Sequence, residues 1–326
     1  MTLDVHSIVE ELTVARTTEG SMKAATMTLA VFLEDAAIAP WVTQRTHAVA
    51  DKHPSRVLMF DGTKNEGDQH AEPSMTRGEW VEVGVKGSTA EELAGALSML
   101  ALPEAPIVLA WVATGIEHDK RFVALANIAD TVVVSTSVLK TDASALRDLI
   151  AFVEHHPEIL VQDVAYLRLA AWQELIAEFF DEPEFLNELV ELREVHISGG
   201  SDAEMYYLLG WLASRLQWTP CAPHEFCNVR GDIIRFTLQR EGTARRLSSV
   251  VLKSGNVTFS ATVMENDPDA VCLQVSGAKE RAVRCTPLHS VDIASLIERA
   301  ILTTSKDEIF MRSLAMAKLI IERTSA

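Results

Sequence analysis

Cysteine, long apolar runs and basic charge are all scarce in this 326-residue sequence. The four cysteines, at positions 221, 227, 272 and 285, are too few for a disulfide scaffold. No stretch supplies the roughly 20 apolar residues that a membrane-spanning helix needs. The first residues lack a basic segment followed by an apolar core, so a secretory leader is not predicted. We therefore expect a cytoplasmic protein whose cysteines are reduced.

Acidic residues greatly outnumber basic ones. Lys plus Arg amount to 29 and Asp plus Glu to 46, which gives a formal net charge of -17. A surface of this sign repels phosphate backbones and anionic lipid headgroups. We therefore expect neither nucleic acid nor a membrane as a partner. The hydrophobic content of 48% is ordinary for a folded globular protein.

Signatures of catalysis and cofactor binding are missing from the sequence. The 15 glycines are dispersed, and neither the Walker phosphate loop nor the glycine spacing of dinucleotide-binding turns occurs. Metalloprotease and nucleophile-elbow motifs do not occur either. These absences make an enzyme less expected, although an α/β domain without such motifs can still be one, and we assign no catalytic residue, cofactor or metal.

Short apolar strands alternate with helical patterns in the first half of the chain. The strand patterns lie at 27–33, 56–60, 80–85, 107–112 and 131–138, and the helical ones at 37–52, 88–100, 119–128 and 142–155. This alternation predicts an α/β domain over residues 1–160 with a mostly parallel sheet and helices. Periodicity over residues 1–19 predicts one more helix, and the polar stretch 61–78 predicts a mobile loop.

A strongly amphipathic segment separates this half from a different pattern. Apolar residues recur at three- and four-residue spacing over 164–180, so we assign 161–190 to a connecting helix. Beyond it, short alternating runs separated by turn residues predict an antiparallel meander. These runs lie at 233–238, 247–252, 257–263, 271–275 and 282–285, and helical patterns follow at 291–302 and 307–321. Residues 191–326 are therefore predicted to form an α+β domain with an antiparallel sheet and terminal helices.

Six segments of the chain carry a family resemblance. They are 53–57 (HPSRV), 102–111 (LPEAPIVLAW), 129–137 (ADTVVVSTS), 164–181 (VAYLRLAAWQELIAEFFD), 209–218 (LGWLASRLQW) and 307–314 (DEIFMRSL). In this order they resemble the OpcA family of glucose-6-phosphate dehydrogenase assembly proteins. The chain departs from the family pattern at Thr131, Ser135, Gln173 and Gln217, where the family usually has Arg, Asp, Arg and Gly.

The resemblance implies a non-catalytic assembly factor and allosteric activator of glucose-6-phosphate dehydrogenase, acting in the oxidative pentose phosphate pathway. Our candidate contact residues for this partner are Arg168, Trp172, Glu174 and Glu178. We expect the charged residues on a polar face of the 164–181 helix, while Trp172 packs inward with its apolar neighbours.

Three alternatives stay open at this point. The hydroxyl residues 135–137 follow a strand, where an α/β scaffold binds small molecules such as sugar phosphates, as a binding protein or an enzyme. A zinc site would use Cys221, His224, Cys227, Cys285 and His289 as its ligands. Cys221 and Cys227 would also suit a redox pair. Buried, inert cysteine is the commoner state of this residue in proteins.

Overall fold

The structure is a computed structural model that describes residues 25–65, 68–74, 78–138, 142–242, 246–288 and 293–324. The chain divides into two compact units. The first comprises the described parts of 1–135, 139–164 and 292–306, and the second those of 136–138, 165–291 and 307–326. Segment 292–306 thus belongs with the first unit, although we had placed it in the second domain.

The first unit is built on a seven-stranded sheet within the described residues. Its strands are β1 (Thr28–Leu33), β2 (Ser55–Asn65), β3 (Gln69–Ser74), β4 (Gly78–Lys86), β5 (Ile107–Val112), β6 (Thr131–Val134) and β7 (Leu160–Asp163). They lie in the order β3-β4-β2-β1-β5-β6-β7. Every neighbouring pair is parallel except β3 with β4. The prediction of a mostly parallel α/β sheet is confirmed.

Helices of the first unit follow its strands. They are α1 (Ala39–Lys52), α2 (Ala90–Leu100), α3 (Lys120–Ala126), α4 (Asp142–His155) and, from the far end of the chain, α9 (Ile293–Leu302). Thr89 and Glu92 form the capping box of α2, so the helix begins at Ala90, two residues after the predicted start at 88. Glu298 of α9 accepts hydrogen bonds from Lys52 and His53 at 2.6 and 2.9 Å, which ties segment 292–306 to α1.

Two local predictions in the first unit are wrong. The polar stretch 61–78 is not one loop, because β2 continues to Asn65 and β3 spans Gln69–Ser74. Backbone pairing with β4 forms β3 although its composition is polar. The strand predicted at 131–138 ends at Val134, and residues 136–138 form a 3-10 turn. The predicted helix at 1–19 lies outside the described residues.

The second unit contains an eight-stranded mixed sheet within the described residues. Its strands are β8 (Leu192–Gly199), β9 (Thr219–Ala222), β10 (Glu225–Cys227), β11 (Ile233–Arg240), β12 (Leu247–Ser254), β13 (Val257–Met264), β14 (Asp267–Gly277) and β15 (Arg281–Pro287). Their order is β15-β14-β13-β12-β8-β11-β10-β9. The predicted antiparallel meander is confirmed for β12 to β15. The sequence pattern did not predict that β8 pairs in parallel with β11.

Helices α5 (Val164–Leu167), α6 (Ala170–Glu178), α7 (Leu186–Val190), α8 (Asp202–Arg215) and α10 (Glu308–Thr324) complete the chain. The predicted connecting helix over 161–190 is therefore three short helices preceded by part of β7. Phe179, Phe180 and Phe185 surround Phe259 of β13, with ring centroids 4.9–5.6 Å apart. Within the described residues, none of the helices combines the length and hydropathy needed to cross a bilayer.

Gly210 permits close packing of α8 against α10. A Cβ atom at this position would lie 2.4 Å from the carbonyl oxygen of Ser313, which is backbone and has little room to move. We predict that Gly210→Ala lowers the free energy of unfolding by about 1–3 kcal/mol through overpacking. Gly95→Ala in α2 is the matched control. It meets no atom within 4 Å, and helix propensity should make it stabilising by about 0.8–1 kcal/mol. If a denaturant titration shows the same change in the free energy of unfolding for both variants, overpacking at Gly210 is contradicted.

Candidate functional site

The candidate contact residues lie on a helical segment that breaks in its middle. Residues 168–169 separate α5 from α6, so the single helix predicted over 164–180 is wrong. The apolar side of the prediction is confirmed, because Leu167, Trp172 and Phe179 are all buried. Trp172 therefore stabilises the interior of the second unit and shows no free surface to a partner.

Arg168 turns towards a buried carboxylate. Its Nη1 donates to Glu204 Oε1 at 2.7 Å and to Ser137 Oγ at 3.4 Å. The side chain of Glu204 is 2% exposed, whereas that of Arg168 is 22% exposed. The guanidinium neutralises a charge within the second unit, so its predicted place on a free polar face is wrong.

Glu174 and Glu178 lie on the outer side of α6. Glu174 is exposed, and no ion pair to it is found among the described residues. Glu178 is half-buried and forms an ion pair with Arg284 of β15. Glu182 forms a similar pair with Arg281, at 3.1 Å. Acidic side chains of α6 and the segment after it therefore pair with basic side chains of the edge strand β15.

The cysteines are paired, which contradicts the prediction that they are reduced. Cys221 bonds to Cys227, and Cys272 bonds to Cys285. The second pair faces across β14 and β15, while the first joins the neighbouring strands β9 and β10. Strand register brings each pair together, and register is not visible in local sequence. The bond between Cys221 and Cys227 is the arrangement that a redox pair of these two residues requires.

The zinc alternative loses its ligands in this arrangement. A cysteine bound in a disulfide does not supply the thiolate that zinc takes. Of its other proposed ligands, His224 lies in the turn between β9 and β10, and His289 falls outside the described residues. The described part of the chain has no group of three or more His, Cys, Asp or Glu placed to hold a metal ion.

The hydroxyl groups of residues 135–137 are buried rather than open to a ligand. Thr136 and Ser137 are 0% and 1% exposed. The Ser135 hydroxyl oxygen is buried and makes no hydrogen bond within the described residues. A sugar-phosphate site at this position would need hydroxyl groups that reach solvent, so the geometry does not favour this alternative.

An ion-pair network lies where β1 and β5 end, and the sequence did not predict it. Arg121 of α3 contacts Glu34 beyond β1 and Asp119 beyond β5, each at 2.6 Å. The guanidinium carbon lies 5.1 Å from the ring centroid of Phe32, which stacks on Trp111. The spacing Asp-x-Arg at 119–121 is too common to indicate such a network without the strand order.

The charges of this network stabilise one another. Burial opposes ionisation of Asp119, but hydrogen bonds from Arg121 outweigh burial and lower the pKa of this carboxyl below its ordinary value. The same hydrogen bonds, together with the one that the Glu34 carboxylate accepts, raise the pKa of Arg121 above its ordinary value. Asp119 and Arg121 are therefore ionised at neutral pH, and the guanidinium is engaged by carboxylates of its own chain.

Two family models cover most of the chain. Residues 46–151 match the N-terminal domain of a glucose-6-phosphate dehydrogenase subunit, and residues 159–314 match the C-terminal domain of the same subunit family. The chain belongs to the OpcA family.

Curated relatives carry the same family name. A cyanobacterial protein from Synechocystis, named as a candidate OxPP cycle protein OpcA, is 26% identical over 272 residues, which cover 76% of this chain and 57% of that protein. The corresponding protein of Synechococcus elongatus is 37% identical over 145 residues, covering 42% of this chain and 32% of that protein. The chain thus spans little more than half the length of the Synechocystis relative.

Solved structures with the same fold are oxidoreductases of distant sequence. A 3-ketoreductase, KijD10, from Actinomadura kijaniata in complex with NADP and TDP-benzene gives a TM-score of 0.52 at 11% identity, covering 92% of this chain and 97% of that one. An oxidoreductase from Sinorhizobium meliloti gives 0.51 at 11% identity, with 93% and 98% covered. At this identity the likeness extends to the fold alone.

Proposed function

We propose that this chain is a non-catalytic, cytoplasmic partner of glucose-6-phosphate dehydrogenase that promotes assembly of the active enzyme and raises its activity. The observation that supports this most directly is the pair of family matches. They occur in their natural order over 46–151 and 159–314, and both are described as parts of a glucose-6-phosphate dehydrogenase subunit. The relatives' name, OxPP cycle protein OpcA, supports a role in the oxidative pentose phosphate pathway.

Activation by such a partner is a matter of differential affinity. A protein that binds two forms of an enzyme equally well does not change the equilibrium between those forms. We propose that this chain binds the active oligomer of the dehydrogenase more tightly than the less active form. Couplings of this kind amount to about 1–3 kcal/mol, or roughly 5- to 150-fold in the equilibrium.

The outer side of α6 is the contact surface that the side chains support best. Glu174 is free to meet a partner cation, whereas Arg168 and Trp172 stabilise the second unit itself. The neighbouring pairs of Glu178 with Arg284 and Glu182 with Arg281 are partly exposed and supply both signs of charge. Paired charges of this kind set the orientation and the association rate of a complex.

Charge reversal at Glu174 tests this contact. We expect Glu174→Arg to weaken binding to the dehydrogenase about tenfold. The variant places a cation against the part of the dehydrogenase that would contact the Glu174 carboxylate of the unsubstituted chain. Glu265→Arg, in the exposed turn between β13 and β14, is the matched control with the same change of net charge. Affinity is measured by titration on immobilised dehydrogenase, and complex formation by the mass of the mixture.

The two variants separate two failures. If both bind as tightly as the unsubstituted chain, α6 is not the contact, although the proposed partner stands. If the unsubstituted chain itself forms no complex with the dehydrogenase, the proposed function is wrong.

A further inference from the structure

The parallel strands of the first sheet have the order of dinucleotide-binding domains. Without β3, the sheet reads β4-β2-β1-β5-β6-β7, and the direction of winding reverses between β1 and β5. Open α/β sheets of this order bind ligands in the crevice beyond the carboxyl ends of the two strands at that reversal. The backbone N–H groups between the first strand and its helix then meet the ligand's diphosphate.

Three N–H groups at this turn are already engaged, and a fourth is missing. The turn has the sequence Glu34-Asp-Ala-Ala-Ile38 and contains no glycine. The carboxylate of Asp35 accepts from the amide of Ala37 at 2.9 Å. The backbone carbonyl oxygen of Asp35 accepts hydrogen bonds from the amides of residues 38 and 39, both at 3.2 Å. Pro40, in the first turn of α1, has no N–H to offer. Few donors are left for a phosphate.

The charge at this turn also opposes a diphosphate. Glu34 and Asp35 place two carboxylates where a diphosphate would approach α1. Arg121 contacts Glu34 and Asp119 and lies over the ring of Phe32. It is therefore held across the ends of β1 and β5 by contacts within its own unit. A dinucleotide would have to displace it and leave two carboxylates without their cation.

The ribose position is closed as well. In dinucleotide-binding domains an acidic residue about 20 residues further on accepts from a ribose hydroxyl. Asp61 lies within β2 and pairs with Leu33, the last residue of β1, so it stands beside the end of β1 at the corresponding position. It is 3% exposed, and its Oδ1 accepts from the amide and hydroxyl groups of Thr63 at 2.9 and 2.6 Å. A Cβ on Gly62 would lie 3.0 Å from the carbonyl oxygen of Leu33, so the turn packs directly on β2.

We infer that the first unit has kept the strand order of a dinucleotide-binding domain and has lost the ability to bind a dinucleotide. The turn after β1 uses its own donors, and the Glu34–Arg121–Asp119 network fills the crevice. Neither NADP nor NAD fits these residues. This inference concerns the isolated chain and does not depend on which protein is its partner.

A titration of the full chain with NADPH and with NADP tests the inference. Calorimetry with each nucleotide should show no saturable heat, which means a Kd weaker than about 1 mM. The unfolding temperature should be unchanged with either nucleotide at about 1 mM, since only a ligand that binds the folded state raises it. Glucose-6-phosphate dehydrogenase in the same buffers is the positive control, and a cooperative unfolding transition of this chain confirms that the sample is folded. Saturable binding of either nucleotide to the folded chain would overturn the inference.

Discussion

Replacing Glu79 with alanine is expected to lower the free energy of unfolding by about 3–5 kcal/mol, because it leaves a buried guanidinium without its carboxylate. Arg56 and Glu79 face each other across β2 and β4, and their side chains are 8% and 5% exposed. The Nε–Oε2 distance is 2.5 Å, and Arg56 also donates to the carbonyl oxygen of Leu100 at 2.7 Å. Removing the carboxylate abolishes the main interaction that offsets the desolvation cost of burying the Arg56 guanidinium.

The measurement is a denaturant titration followed by circular dichroism. Glu265→Ala removes an acidic side chain from an exposed turn and should change the free energy of unfolding by less than about 0.5 kcal/mol. Hydrogen exchange in β2 and β4 locates the loss in the first unit. A Glu79→Ala variant as stable as the control would mean that Arg56 finds water or another partner, and that this pair is not a major source of stability.

Removal of Arg168 should have the second large effect. Arg168→Ala takes the guanidinium from the buried carboxylate of Glu204, and hydrogen bonds to charged groups contribute about 1.5–3 kcal/mol. We expect a loss of that size in the second unit and a smaller one for Arg168→Lys, which keeps the charge without the planar fork. The exposed Glu174→Ala is the control and should be near neutral.

This prediction bears directly on how a loss of function is interpreted. Arg168→Ala would weaken activation of the dehydrogenase by unfolding part of the second unit, even if Arg168 never touched the partner. Full stability of Arg168→Ala together with lost binding would contradict this view and make Arg168 a contact residue. Hydrogen exchange in α8, which carries Glu204, distinguishes the two.

Local patterns predicted the elements that local forces decide. The amphipathic run 142–155 is α4 with the same first and last residues. The Val-rich run that begins at Thr131 is buried on both faces of β6. Each of these depends on residues within a few positions of one another, so the sequence alone contains the information.

Features that depend on distant residues were not predicted. The strand β3 exists because β4 lies beside it, and both disulfides depend on strand register. Segment 292–306 returns to the first unit through contacts with α1 that no local pattern reports. The helix predicted over 164–180 breaks beside Arg168, whose partner Glu204 lies 36 residues away.

The candidate site residues divide in the same way, into features decided by sequence neighbours and features decided by distant residues. Burial of Trp172 followed from helical periodicity, whereas the inward turn of Arg168 did not, because its cause is a carboxylate on another helix. The network of Glu34, Asp119 and Arg121 joins the ends of two strands that are about 80 residues apart in sequence, and only the strand order brings them together. The resemblance to the family rested on six sequence segments in a fixed order and not on the residues of a functional site.

The central claim is that this chain raises the activity of glucose-6-phosphate dehydrogenase by binding it. Its most direct test is a kinetic titration of the dehydrogenase from the same organism with the purified full chain, following NADPH production while the mass of the mixture is measured. The account predicts a saturable rise in activity together with a complex of defined mass. Unchanged activity and no complex, with both proteins folded, would contradict it.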